Sequence, residues 1–575
     1  MAIEETTCRG VAALQSGSPE ISGATFSCNV AFLIEIGVFV VRKTDISGKL
    51  VQFAWWALAT IVFALVVAIR IRLLGIPLER DEGEYAYAGQ LMLQGIPPYK
   101  LAYNMKFPGT YAAYAVVMSI FGQTISGIHL GLLLVNAATV ALVFFLGRRL
   151  INETAGVVAA ASYMLLSISP TVLGFAAHAT HFVMLPVLGG MLLLLDQHAH
   201  ARFGRLFVSG VLFGFAVVMK QPGIFFALFA VIYLMTKEIR SGLRPKEWFV
   251  RALVFSGGVI LPVAMTCLFL LCAGVFREFW FWTVDYAQQY GALVRLGEVP
   301  PFLLRRASEV IGANWPVWAL AGVGAVAGIW NKRLRAGTLF FLGFLFFSAL
   351  AVCPGLYFRH HYFVLVLPAV ALLAGTGISA LAGAAPGRVT TSKVVALIVT
   401  AAALALPLVR YKKLFFEFSP AQVSRMVYAE SAFPEAVRIA DYLREHTTVD
   451  DTIAVLGSEP EIYFYSHRHS ATGYIYTYPL MEPQKYARQM QEEMISEIER
   501  ANPKFLVSVA MNDSWLQRPG SDPLIFSWAN EYIAKNYVPA GFVNVTSGET
   551  EYYFDNIPTT VATLKDYILI YRRKL

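Results

Sequence analysis

Asp81-Glu82-Gly83-Glu84-Tyr85 is the stretch on which the reading of this chain turns. It follows the first long apolar segment, residues 51–74, by a few positions. Acids so close to a membrane span are costly to place and need a reason. Further along comes a second polar signal, Tyr99-Lys100-Leu101-Ala102-Tyr103-Asn104-Met105-Lys106-Phe107-Pro108-Gly109. The order is apolar helix, acidic pair, Tyr-bearing loop, then Lys, aromatic, Pro and Gly.

Composition supports the membrane setting. Of 575 residues, 57% are hydrophobic and the mean hydropathy is +0.56, against about 45–50% apolar in soluble domains. The excess gathers in segments of roughly 17–25 residues, the length that crosses about 30 Å of hydrocarbon. The net charge of +8 is carried by Lys and Arg in short loops between these segments. That is the footprint of cytoplasmic loops rather than of a nucleic-acid surface. Cys8 and Cys28 lie in the N-terminal stretch; Cys267, Cys272 and Cys353 lie in apolar segments and read as buried hydrophobes. None follows residue 411, so no disulfide staples the C-terminal region. Residues 1–50 read as an N-terminal cytoplasmic extension. The run Val30–Val41 is short, is interrupted by Glu35 and follows no basic cluster, so it does not read as a convincing signal peptide.

The predicted spans are 51–74, 128–147, 154–175, 182–196, 206–219, 222–236, 252–274, 313–330, 336–352, 362–383 and 393–409. Residues 107–122 are apolar too, but short and rich in Tyr and Gly. Lys220-Gln221-Pro222 interrupts two short spans, a pattern tolerated where helices line a cavity. Lys220 reads as a snorkelling side chain or an anion ligand. From residue 411 charge returns and soluble patterning begins. A helix is expected at Glu435–His446, with Ala436, Ile439, Ala440 and Leu443 on one face, and another at Gln484–Ala501. Strands are expected at Thr452–Gly457, Phe505–Ala510, 541–545, 551–555 and 567–572, which together suggest a small α/β domain.

The acidic stretch and the Lys-aromatic-Pro-Gly loop resemble the first extracytoplasmic loop of GT-C membrane glycosyltransferases. The resemblance is to the protein O-mannosyltransferase and aminoarabinose-transferase superfamily, most closely its bacterial branch that includes the rhizobial galacturonosyltransferases. It implies a polytopic α-helical membrane protein of GT-C type with about 11 transmembrane helices, interfacial helices and a C-terminal soluble α/β domain. The expected divisions are 1–50, a transmembrane catalytic domain at 51–410, and an extracytoplasmic domain at 411–575.

In that family the segment equivalent to 107–122 lies along the interface. With it uncrossed, the inward loops carry Arg148 and Arg149; Arg202 and Arg205; Lys237, Arg240, Arg244, Lys246 and Arg251; Lys332, Arg333 and Arg335; and Arg388 and Lys393. All are basic, which selects eleven crossings with the N-terminus inside and the C-terminus outside. The expected location is the bacterial inner membrane, with the C-terminal domain periplasmic.

Glycosyl transfer needs a base for the acceptor hydroxyl and a group that neutralises the leaving phosphate. The resemblance implies Asp81 as the base and Glu82 as the second acid. A helix-capping Asp with a solvated Glu is the plainer alternative. It implies Lys106, Lys220 and Arg359 as ligands of the donor phosphate, Arg359 through its bidentate fork. Tyr85, Tyr99, His178, His181, Tyr357 and His360 are candidate substrate-binding residues. The position aligned with His181 is commonly an acid in relatives, so this chain departs from the pattern there. His178 and His181 read as neutral structural histidines or as ligands of a divalent metal. No other cofactor is expected. Some relatives bind a metal through an acid just before the loop Lys; here that place is Met105. Trp280, Trp282, Tyr286 and Tyr290 fall in an external loop and read as an interfacial belt or a sugar platform. No glycine-rich turn follows a C-terminal strand, which suits a lipid-phosphate donor rather than a nucleotide sugar.

The implied activity is transfer of a sugar from a polyprenyl-phosphate donor to an envelope acceptor, which is a lipopolysaccharide lipid or core, a glycan or a protein. The partners are thus donor, acceptor and membrane lipids, with no nucleic acid. The alternatives are a transporter or flippase of lipid-linked sugars, against which the lack of internal repeats counts, and an O-antigen-type ligase or polymerase.

Overall fold

The computed structural model describes residues 48–195, 203–384, 389–429, 431–545, 550–557 and 566–574. The predicted N-terminal extension lies outside these apart from Gly48, Lys49 and Leu50, as do Arg202 and Arg388.

The first helix, α1, is Gly48–Arg72. The acidic stretch forms α2, Arg80–Leu93, and the Tyr/Gly-rich segment forms α3, Gly109–Phe121. Then follow α4 (Ile125–Leu150), α5 (Glu153–Leu166), α6 (Ala179–Leu194), α7 (Phe203–Met219), α8 (Gly223–Arg240) and α9 (Pro245–Cys272). After a loop of short helices come α10 (Trp315–Trp330), α11 (Arg335–Val352), α12 (Leu367–Ala382) and α13 (Val389–Arg410).

By length and composition, α1, α4, α9, α11 and α13 can each cross a bilayer, and a pair bent by 106° ending in α10 makes a sixth candidate. This is a multi-pass membrane protein. The apolar helices α5, α6, α7 and α12 have 14, 16, 17 and 16 residues, short of the roughly 20 that span hydrocarbon unaided. Of these, α5 and α12 are almost wholly buried and pack against each other in the interior.

Two predicted spans are cut short. Segment 154–175 is helical only to Leu166, because Ser169 caps a turn at Pro170–Val172 and Pro170 cannot continue the helix. Segment 362–383 begins as a tight 3₁₀ turn, His360–Leu365, and becomes α-helical only from Leu367. The three cysteines do not fill a core: Cys272 is exposed and Cys267 and Cys353 are half-buried.

Basic side chains gather at one end of the bundle. Arg149 at the end of α4 donates to the Leu195 carbonyl (2.8 Å), Lys237 on α8 to the Leu194 carbonyl, and Arg251 on α9 pairs with Glu238 (3.1 Å). Charged groups at helix C-termini satisfy the last carbonyls there.

The C-terminal region holds a six-stranded mixed sheet: β1 (Thr452–Leu456), β2 (His469–Ser470), β3 (Phe505–Ala510), β4 (Tyr537–Asn544), β5 (Glu551–Phe554) and β6 (Tyr567–Arg573), in the order β2-β1-β3-β6-β4-β5. The β1 strand is parallel to β2 and β3; the other pairings are antiparallel. Helices α14 (Phe433–Glu445), α15 (Ala487–Ala501) and α16 (Leu524–Asn536) accompany the sheet.

This region is not tethered loosely. Its apolar core runs on into α2 and α3, so that Tyr87, Tyr111 and Ile462 share one cluster with Ile453, Val507 and Ile570. Gly83 permits the approach, because a Cβ there would lie 2.7 Å from the Glu461 backbone nitrogen. Arg80 adds a polar anchor, donating to the Ser458 carbonyl and pairing with Glu459 (3.3 Å) between the rings of Phe433 and Tyr478. Trp282 and Tyr286, predicted for a belt or platform, are buried in the same docking surface. Trp282 stacks on Tyr103, and the Tyr286 hydroxyl donates to Glu482 (2.6 Å).

Candidate active site

The site forms where α2, three connecting loops and the C-terminal region converge. Glu79 caps α2, accepting from the Glu82 amide (3.0 Å), and Glu82 returns the bond to the Glu79 amide. This capping box satisfies the first turn. Asp81 is therefore not the cap, and its carboxylate, 22% exposed, is available to other partners.

Glu82 points the other way and is buried. One of its oxygens accepts from the Ala177 amide (2.6 Å) and lies 3.1 Å from His129 Nε2. The Ala177 carbonyl accepts from Tyr114 (2.8 Å), and Arg70 donates to the Ser167 and Gly174 carbonyls (3.0 and 3.1 Å). Glu82 thus holds the loop that ends in His178.

Lys106 lies on a loop pinned at several points. The Tyr99 hydroxyl donates to its carbonyl (2.7 Å), from a buried residue with φ +66°. A bulky residue in the left-handed region is strained, and such strain gathers at functional sites. Gly109 lets this loop close on α7, since a Cβ there would sit 2.5 Å from the Val218 carbonyl oxygen. The Met105 carbonyl accepts from Gln221 (2.7 Å), and Thr110 donates to Met219 (2.8 Å). The Lys106 loop and the Lys220 turn are one assembly.

The Lys106 ammonium bridges Asp81 Oδ1 (2.7 Å) and Glu84 Oε2 (2.5 Å), and sits 4.6 Å from the Tyr85 ring centroid. Glu84 is fully buried and accepts also from Tyr111 (2.5 Å). Burial opposes charge on Asp81, but the Lys106 ammonium, bonded to it at 2.7 Å, outweighs burial and holds the carboxyl well below the usual range. Burial raises Glu84, against the pull of Lys106. Lys106 is held above its ordinary value, its two carboxylates overcoming desolvation. Glu84 was not singled out from sequence, although the i, i+3 spacing from Asp81 puts both on one helix face.

Tyr476, from the C-terminal region, donates to Asp81 Oδ1 (2.9 Å), 395 positions away along the chain. No sequence signal marks it.

Lys220 carries no such clamp. Its ammonium lies 4.1 Å from the Tyr362 ring centroid, and no carboxylate pairs with it among the described residues. Burial lowers its pKa to about 7. Arg359 donates to the Tyr290 hydroxyl (3.5 Å), and Tyr290 stacks on Tyr357 at 4.8 Å. Leu356 and Phe358, just before it, have φ of +58° and +45°.

Of the four histidines near these loops, two face the site. His178 and His361 stack with ring centroids 4.1 Å apart, and Asp81 Oδ2 lies 3.8 Å from His178 Nδ1 and 3.7 Å from His361 Nε2. These three residues have ligand atoms within 4.8 Å of one another, a spacing that can hold a metal ion. Burial lowers His178 to about 4, and burial also lowers His361. The other two face elsewhere. His181 is buried against Asn136 (3.2 Å) and serves the helix interior, and His360 pairs with Glu309 (3.0 Å). Of the two readings open for His181, a structural histidine or a metal ligand beside His178, its position suits the first, because α6 turns it into the bundle.

A protein-family model described as dolichyl-phosphate-mannose-protein mannosyltransferase matches residues 106–277. The match begins at Lys106 and leaves the acidic stretch outside it. No curated protein sequence matches the chain. Among solved structures, ArnT from Cupriavidus metallidurans in the apo state aligns with a TM-score of 0.58 at 16% identity, covering 90% of this chain and 98% of that one. The same protein bound to undecaprenyl phosphate aligns with a TM-score of 0.55 at 15% identity, covering 91% and 98%. The chain has an ArnT-like fold over nearly its whole length, and within it a segment similar to the mannosyltransferase model.

Proposed function

We propose that this chain is a membrane glycosyltransferase that moves a sugar from a polyprenyl-phosphate donor to an acceptor hydroxyl. The observation that carries the proposal is the partly exposed Asp81 carboxylate paired with Lys106, on a loop hydrogen-bonded to the Lys220 turn. The likeness to ArnT, solved with undecaprenyl phosphate, supports the donor class.

In the reaction the acceptor oxygen attacks the anomeric carbon. Its proton passes to Asp81, the bond from that carbon to the phosphate oxygen breaks, and polyprenyl phosphate departs with one more negative charge. Attack opposite the leaving group inverts the anomeric centre. Lys106 is placed to follow the charge. As it turns from Asp81 toward the phosphate, it stabilises the leaving group and lets the Asp81 carboxylate become more basic. Lys220 and Arg359 complete the phosphate site, and Tyr85 and Tyr99 frame Lys106.

The finer points belong to the same proposal. Eleven crossings put residues 411–575 on the extracytoplasmic face, periplasmic in a bacterial inner membrane. The basic residues at the opposite end of the bundle support that orientation. Residues 51–410 form the catalytic membrane domain, and the acceptor is an envelope lipid, glycan or protein, with the rhizobial galacturonosyltransferases as the nearest type. The test is incubation of the purified protein with a polyprenyl-phosphate sugar and candidate acceptors, read by mass spectrometry. Inverted glycoside with release of polyprenyl phosphate is expected, and no transfer from any such donor refutes the reading.

A further inference from the structure

We propose that Glu497 is a positioning residue that sets Lys106 and Tyr476 together on Asp81. Its effect on turnover rests on the transferase reading; the coupling of the two segments does not.

Asp81 Oδ1 accepts from two groups that come from distant parts of the chain, Lys106 at 2.7 Å and Tyr476 at 2.9 Å. Lys106 lies in the loop between α2 and α3, and Tyr476 in the irregular stretch after β2. Groups on loops hold a reactive geometry only where supporting bonds fix them. Glu497, half-buried on α15, supplies such bonds to both loops. Its Oε1 accepts from the Tyr103 hydroxyl (2.9 Å), three residues before Lys106. Its Oε2 accepts from the Thr472 hydroxyl (2.6 Å) and the Gly473 amide (3.0 Å), four and three residues before Tyr476. Among the described residues no Lys or Arg pairs with Glu497; its hydrogen bonds go to these two segments.

The two segments also grip each other. The Tyr103 amide donates to the Gly473 carbonyl (2.7 Å). The Tyr103 ring lies so near that backbone that a Cβ on Gly473 would sit 2.2 Å from it. Trp282 stacks on the ring at 5.8 Å, and Tyr474 meets it edge-on at 5.2 Å. Tyr103 therefore has little room to turn, and the carboxylate decides where its hydroxyl end points. Hydrogen bonds to an ionised acceptor are the strong ones. One side chain of the C-terminal region thus fixes the spacing of the two donors that meet on Asp81. A displacement of about 1 Å at a reacting group can cost about 10²-fold in rate.

The test uses full-length protein in lipid nanodiscs and the variants Glu497→Ala, Glu497→Gln and Tyr103→Phe. Glu492→Ala, on the exposed face of the same helix, is the control. Hydrogen exchange read by mass spectrometry comes first. Glu497→Ala should raise exchange over residues 101–107 as well as 472–477. Tyr103→Phe, a change confined to the first loop, should raise it over 472–477. Turnover per folded protein should fall by about ten- to a hundred-fold in Glu497→Ala. It should fall less in Glu497→Gln, whose one carbonyl oxygen keeps part of the set, and stay unchanged in Glu492→Ala. Adding Tyr476→Phe to Glu497→Ala should cost less than it costs the wild type, because both changes act on the same contact. Melting temperatures check folding; if Glu497→Ala is unfolded, Glu497→Gln and Tyr103→Phe decide. Exchange that rises in one segment only, wild-type turnover in a folded Glu497→Ala, or fully additive losses would each overturn the proposal and leave the transferase reading standing. A wild type that transfers nothing would remove that reading, and the exchange measurement alone would then decide the coupling.

Discussion

The Lys106 loop and the Lys220 turn are both cationic and both expected at the donor phosphate, yet the protein treats them oppositely. Lys106 is gripped by Asp81 and Glu84 and stays charged. Lys220 has an aromatic face for company and a pKa brought down to about 7 by burial. One lysine is held in an ion-paired cluster from which it can be released, and the other gains its charge from the ligand it meets. Identical residue types in similar loops acquire different jobs from their neighbours alone.

The largest expected effect tests the carboxylate that Lys106 serves. Asp81→Asn should lower turnover by about 10²–10⁴-fold, the usual worth of a general base, or roughly 3–5 kcal/mol of barrier. Because Glu79 rather than Asp81 caps α2, the melting temperature should change little. Near wild-type turnover would remove Asp81 from the chemistry. A flippase has no acceptor to deprotonate, so lipid translocation would survive the change.

Next comes the contrast between the two lysines. Lys106→Ala leaves Asp81 and the buried Glu84 without a cation. Since Lys106 is 23% exposed, the stability cost should be about 2–3 kcal/mol, below the 3–5 of a fully buried pair. Lys220→Ala should weaken donor binding with little change in melting temperature. Equal thermal shifts in both variants would erase the distinction.

A smaller effect concerns pH. Lys220 is charged below about 7 and neutral above it, and only the charged form attracts phosphate. Donor affinity should fall as pH rises through that value, with proton uptake on binding. Lys220→Arg, charged throughout, should flatten the profile. An unchanged slope in that variant would place the titration elsewhere.

The smallest expected change is Tyr476→Phe. It removes a donor that favours the ionised form of Asp81, so the Asp81 pKa should rise. The acid limb of the pH–rate profile should move up by about one unit, in keeping with roughly 1.5 kcal/mol for a charge-assisted bond. No movement would mean that the C-terminal region covers the site without tuning it.

Much of the architecture was legible. The apolar segments announce themselves because hydrocarbon admits little else, and the C-terminal strand at Phe505–Ala510 has the predicted limits. Asp81 and Lys106, flagged from one loop, are in contact. Glu84 was within reach of helical spacing but was passed over. The histidine choice was not within reach. His360 and His361 are adjacent, and the backbone turns at Leu356 and Phe358 precede the step that gives one to Glu309 and the other to Asp81. Likewise the aromatic loop residues Trp282 and Tyr286 looked like a membrane belt until the C-terminal region was seen to cover them.

By itself the sequence determined that this chain builds an apolar helical bundle, that an acidic helix and a lysine loop stand at its edge, and that an α/β region follows. These are local matters of hydrophobic length, helix period and loop chemistry. Only the tertiary structure decided which side chains meet. The Asp81 carboxylate is shared among Lys106 from its own loop, His178 and His361 from two separate connections, and Tyr476 from the far side of the chain. Such meetings depend on close approach between distant backbones, as at Gly83 against Glu461 and Gly109 against Val218. Spacing along one chain carries no record of them.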